Sequence, residues 1–138
     1  MKELAFQKLI MQAVRSDGGF AHKMSAKFLI GVPDLFLKLA SSIPGMWEVK
    51  INDCPTKSTT VKLAVTELQL KWLRDYASAG GLAGIISGLR AGPRLFIQAK
   101  RVKNADRDEP TMDVSGYREL LRGKRDQGII DEIKRASH

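Results

Sequence analysis

The chain has 138 residues, 43% hydrophobic and 28% charged, which is enough to bury the core of one globular domain. No apolar run approaches the ~20 residues of a membrane span, and the N-terminus lacks the apolar region of a secretory signal. The net charge is +8, a balance that favours a polyanionic partner, and the single cysteine, Cys54, rules out an internal disulfide and fits a reducing cytoplasm.

Residues 2–15 read as a helix, with Phe6, Leu9, Ile10, Ala13 and Val14 on one face. Glu3 borders that stripe and either faces the next elements or complements the helix dipole in the first turn. Ser16-Asp17-Gly18-Gly19 ends the helix, and residues 20–28 predict a first strand. Two further strands are expected over 36–39 and 46–51, with Ser41, Ser42, Pro44 and Gly45 as the turn between them. Residues 52–60 read as an exposed loop in which Lys57, Ser58, Thr59 and Thr60 are free to touch phosphates. Residues 66–79 predict the clearest helix, buried through Val65, Leu68, Trp72, Leu73 and Tyr76. Gln69 falls within that face, yet Thr66-x-x-Gln69 is also a capping-box pattern. Strands over 82–89 and 94–99 follow, joined by Arg90-Ala91-Gly92-Pro93. Residues 102–113 read as a charged linker, and 115–122 and 128–136 as helices interrupted by Gly123 and Gly128.

The stretch that carries chemistry lies between the first two helices. Gly31-Val32-Pro33-Asp34 precedes one strand, and Glu48-Val49-Lys50 lies in the next. Alternation places Met46, Glu48 and Lys50 on one face and Trp47, Val49 and Ile51 on the other, which is the apolar, core-facing set. If Asp34 pairs across the hairpin near Lys50, Asp34 and Glu48 point the same way; a slip of one residue would separate them. Two carboxylates beside a lysine suit Mg²⁺, which accepts one or two carboxylates and fills its other positions with water and substrate phosphate.

This pattern resembles the PD-(D/E)XK nuclease superfamily, most closely its compact VRR-NUC and Holliday-junction-resolvase-like members, over about residues 2–100. The resemblance implies an α/β restriction-endonuclease-like core, a mixed sheet flanked by helices in αβββαβ order. Residues 1–101 would form it, with 102–138 a charged linker and short helical C-terminal extension of the same domain. It implies that Asp34, Glu48 and the Val49 carbonyl hold Mg²⁺, with Mn²⁺ able to substitute, and that Lys50 orients water or stabilises the transition state. It also gives Glu3 and Gln69 supporting catalytic roles. The implied activity is metal-dependent hydrolysis of DNA, with a branched substrate such as a four-way junction. A homodimer, no membrane partner, and a place in DNA recombination or repair in a bacterium or its virus complete the expectation.

Basic residues are spread along the chain. Lys23 and Lys27 precede the motif, Lys57 and Lys62 follow it, and Arg118, Arg122, Lys124 and Arg125 form the densest cluster. These would contact DNA phosphates; a solvated helix face is the plainer reading of the last four. Two rivals stand beside the nuclease: a non-catalytic basic DNA-binding module, and a phosphatase or small-molecule hydrolase. A cysteine hydrolase is poorly supported, with only His22 and His138 to act as bases, and no Cys/His cluster suits zinc.

Overall fold

The computed structural model describes residues 1–24 and 30–138. Among these the order is α1 (Glu3–Ser16), β1 (Phe20–Lys23), β2 (Leu35–Lys38), β3 (Gly45–Asp53), β4 (Thr60–Lys62), α2 (Glu67–Ser78), β5 (Leu82–Ala91), β6 (Arg94–Arg101), β7 (Thr111–Asp113), β8 (Arg118–Glu119) and α3 (Arg125–Ser137). No helix of the described residues is long and apolar enough to cross a membrane.

The main sheet runs β1-β2-β3-β5-β6-β8. β1, β2 and β3 are an antiparallel meander, and β3 pairs in parallel with β5. Parallel neighbours need a long crossover, and α2 supplies it. The two faces carry separate cores. On one, α1 and α3 cover Leu35, Leu37, Trp47, Val49, Leu82, Ile86 and Ile97. On the other, α2 and the β4–β7 pair cover Ala83, Ile85 and Leu89. The αβββαβ order and the mixed sheet are therefore as the sequence implied.

Four local readings need correction. Residues 52–60 and 102–113 are not all loop: β3 extends to Asp53, and Thr60–Lys62 pairs with Thr111–Asp113. Residues 115–122 are not helical. A 3₁₀ turn at Val114–Gly116 leads into β8, whose Arg118 and Glu119 pair with Ile97 and Phe96. Gly128 lies inside α3 rather than breaking it, and it sits close against Leu120, whose Cδ2 a Cβ there would meet at 2.9 Å. Finally, α2 buries Leu70 and Leu73, while Leu68 is exposed and Trp72 only half-buried, stacked on Tyr76 at 5.4 Å.

α3 is built into the core. Ile129, Ile130, Ile133 and Ala136 pack with α1 residues in one cluster. Glu132, 1% exposed, accepts from the Ala99 N–H at 2.9 Å and pairs with Arg135 at 2.6 Å, while Arg135 donates to the Ala99 carbonyl at 2.7 Å. β8 reaches only Phe96 and Ile97, so these side chains serve the next stretch of β6 in place of a strand. At the opposite edge Arg15 donates to the Ala21 carbonyl at 2.8 Å.

The start of α2 is a complete capping box. Gln69 N–H donates to Thr66 Oγ1 at 3.2 Å, and Thr66 N–H donates to Gln69 Oε1 at 3.0 Å. Thr66→Ala is expected to lower stability by about 1 kcal/mol, read as a shift in the urea unfolding midpoint with an unchanged slope.

Candidate metal and phosphodiester site

Asp34 stands one residue before β2. The ladder sets Leu35 opposite Trp47 and Phe36 opposite Met46, so its continuation sets Asp34 opposite Glu48. The sequence reading had Asp34 nearer Lys50. The parity survives this two-residue correction, because a shift of two keeps every side chain on its own face. Backbone bonds fix the position: the Met24 N–H donates to the Asp34 carbonyl at 2.9 Å, and Asp34 Oδ2 accepts from the Val49 N–H at 2.9 Å. The Asp34 side chain thus extends the ladder past the end of β2. In an extended strand the N–H and C=O of one residue point to the same side, so the Val49 carbonyl also faces Asp34.

Glu48 is the unusual member. It is 1% exposed, and its Oε2 has no hydrogen-bond partner among the described residues. Burial first, and then hydrogen bonding and charge repulsion from Asp34, push its carboxyl up to about 9, against an opposing pull from Lys50. Glu3 belongs to the same group. Its carboxyl is raised by burial and by the Asp34 charge and lowered by Lys50, so the first turn of α1 faces the hairpin. Its place in the first turn of α1 equally meets the other reading, a carboxylate complementing the helix dipole.

The residues fit a hard divalent cation. Two facing carboxylates, one with an orphaned buried oxygen, and a backbone carbonyl on the same side form an oxygen donor set. Among the described residues no three His, Cys, Asp or Glu side chains close into a cage, so water and substrate would fill the remaining positions.

The other expected residues are distributed. Gln69 places its oxygen in the capping box, which leaves only its amide nitrogen for a further bond. Lys23 is exposed, one residue before Met24. Lys27 lies outside the described residues. Lys57 is exposed in the loop after β3, and Lys62 pairs with Glu109 at 3.4 Å. Arg118 pairs with Glu132 at 3.6 Å, and Arg122 and Lys124 are exposed. Arg125 is half-buried beside Asp17 at the far end of α1 from Glu3. The densest basic cluster is therefore remote from the acidic pair.

Sequence reasoning missed Ser87 and Gln7. Ser87 is fully buried, in register with Lys50 on the neighbouring strand, and its hydroxyl lies 2.6 Å from that of Tyr117. The available signal was a hydroxyl within the apolar run Leu82–Leu89. Gln7 lies one turn after Glu3, 5% exposed, with Oε1 unpartnered among the described residues.

No protein-family model matches the sequence, and no curated protein matches it either. Among solved structures the chain is similar to Hjc of Archaeoglobus fulgidus, a Holliday junction resolvase from an archaeal hyperthermophile. The TM-score is 0.51 at 17% identity, over 80% of this chain and 89% of that one. The fold is thus resolvase-like, of the restriction-endonuclease α/β type.

Proposed function

We propose that this protein is a metal-dependent endonuclease that hydrolyses DNA phosphodiesters, with branched DNA such as a four-way junction as its substrate. The observation that carries the reading is the buried Glu48, whose oxygen lacks a donor while Asp34 faces it and Lys50 lies two residues on. A carboxylate in that setting is costly unless a cation neutralises it. The likeness to a junction resolvase supports the same reading at the level of fold.

A bound Mg²⁺ or Mn²⁺ would supply charge neutralisation at the phosphate and a lowered pKa for water. Asp34, Glu48 and the Val49 carbonyl would hold it. Lys50, a compact point charge with three donors, would orient the attacking water or the phosphoryl oxygens. Glu3 would steady Lys50 through opposite charge, and the Gln69 amide nitrogen would bond water or a phosphate oxygen. Lys23, Lys27 and Lys57 would meet flanking phosphates. Cutting two strands of a junction calls for two such sites, so the active species would be a pair of copies acting in recombination or repair.

Labelled four-way junction, duplex and single strand, each incubated with Mg²⁺ or EDTA, test the proposal. Wild type is expected to cut the junction in Mg²⁺ only, and Asp34→Asn to bind it without cutting. Tight binding with no cleavage by either protein would leave a DNA-binding module in place of a nuclease.

A further inference from the structure

A groove runs along the outer side of β6 between β7 and the end of α3. Gln98, Lys100, Arg101, Lys103, Arg135 and His138 line it, and Asp113 is its one exposed acid. Lys100, Arg101 and Lys103 make no ion pair among the described residues, as Arg122 and Lys124 make none, although Asp106 Oδ2 accepts from the Lys103 N–H at 2.9 Å; what sets the three apart is that they share one groove. Unpaired cations gathered in a concave surface repel one another and raise the local potential towards anions. The groove therefore favours an anionic occupant.

A peptide strand adding to this edge is disfavoured. An added strand needs the backbone groups of β6, and Glu132 and Arg135 already occupy both the N–H and the carbonyl of Ala99. At Ala99 the groove offers charge and no free backbone group for an added strand.

Its placement is specific. Lys100 stands in the same cross-sheet row as Glu48, with Ile85 between them, so the two lie about 10 Å apart by strand spacing. Lys100 also lines a neighbouring cavity with Leu70, Ile85 and the acidic Asp106, Asp108 and Glu109. The groove therefore lies beside the acidic pair across the sheet and does not include it.

We infer that the β6-edge groove is a second surface for a nucleic-acid phosphate backbone, distinct from the acidic site and from the basic cluster around Arg122 and Lys124. Its contacts are charge contacts, without base reading, so they add to affinity and to salt dependence.

The test compares Lys100→Ala/Lys103→Ala with Arg122→Ala/Lys124→Ala. All four side chains are exposed, and each pair removes the same charge. Binding of a labelled duplex is followed by fluorescence anisotropy across a salt series in EDTA, with circular dichroism to confirm folding. The groove pair is expected to bind roughly tenfold more weakly, with the slope of log affinity against log salt shallower by about 1.8. The control pair should weaken binding clearly less than the groove pair. Equal losses in both pairs would reduce the effect to overall charge and overturn the inference, as would absence of DNA binding by wild type. Wild type that binds but does not cut in Mg²⁺ would sink the nuclease reading and leave the groove standing.

Discussion

Glu48→Gln is expected to abolish cleavage and at the same time make the metal-free protein harder to unfold in mild alkali. The two effects share one cause. The folded protein holds the Glu48 carboxyl near 9, far above its ordinary 4.5, so between those values the folded state binds the extra proton. Stability then falls as pH rises through that window, because proton release favours the unfolded chain. A buried shift of this kind costs on the order of 3 kcal/mol once the group ionises. Glutamine keeps the shape and carries no charge. In EDTA near pH 8.5 thermal unfolding of the variant should lie several degrees above wild type, and near pH 5 the two should coincide. Mg²⁺ should raise the wild-type midpoint at pH 8.5 and leave the variant unmoved, since only a ligand that binds the folded state shifts the balance. Cleavage by the variant should drop by a factor of roughly 10³, the scale of losing a charge-stabilising group in a dry site. A variant less stable than wild type at pH 8.5 would contradict the argument.

The second large effect is structural. Glu132→Ala removes a buried carboxylate that binds the Ala99 N–H, Arg135 and Arg118 together. Breaking a buried pair by deleting one partner costs about 3–5 kcal/mol. The lower end applies here, because the Arg135 side chain is 47% exposed and turns to water when released. Glu132→Gln should cost less, since its amide oxygen still accepts from Ala99. Denaturant midpoints read both. Cleavage per folded molecule at low temperature should be unchanged, because Glu132 lies on the edge of the sheet away from β2 and β3.

The hairpin was legible because its information is local and periodic. Alternation over 46–51 fixed which residues of β3 share a face, and the parity argument held when the register moved. The register itself depends on where the turn closes, and β3 opens at Gly45, a residue counted as turn material. Short strands that pair across distance left no such trace. β4 finds β7 some fifty residues later, and neither three-residue segment has a pattern of its own. β8 was misread for a related reason: its two residues are strand only because β6 offers an edge. The face of α2 was misjudged at Leu68, which lies against the backbone of Gly31 and so stays outside the core. Thr66 and Gln69 show the opposite case, a contact within one turn that the spacing alone announced.

In the candidate site the residue types were readable and their environments were not. Nothing in Glu-x-Lys says that Glu48 is sealed from water, since that follows from the layers placed over it. Glu3 is distant in sequence and near in space because α1 starts where β3 ends, and Arg90 also bonds the Met1 carbonyl there. Ser87 acquires its interest only through the parallel pairing that sets it beside Lys50.

The packing of α3 on α1 has a consequence for how the protein is made. The helix carrying Glu3 leaves the ribosome well before the helix that covers its flank. Until α3 emerges, Ile10 and Val14 lack part of their cover. The flank of α1 therefore gains its finished surroundings only once α3 has followed it.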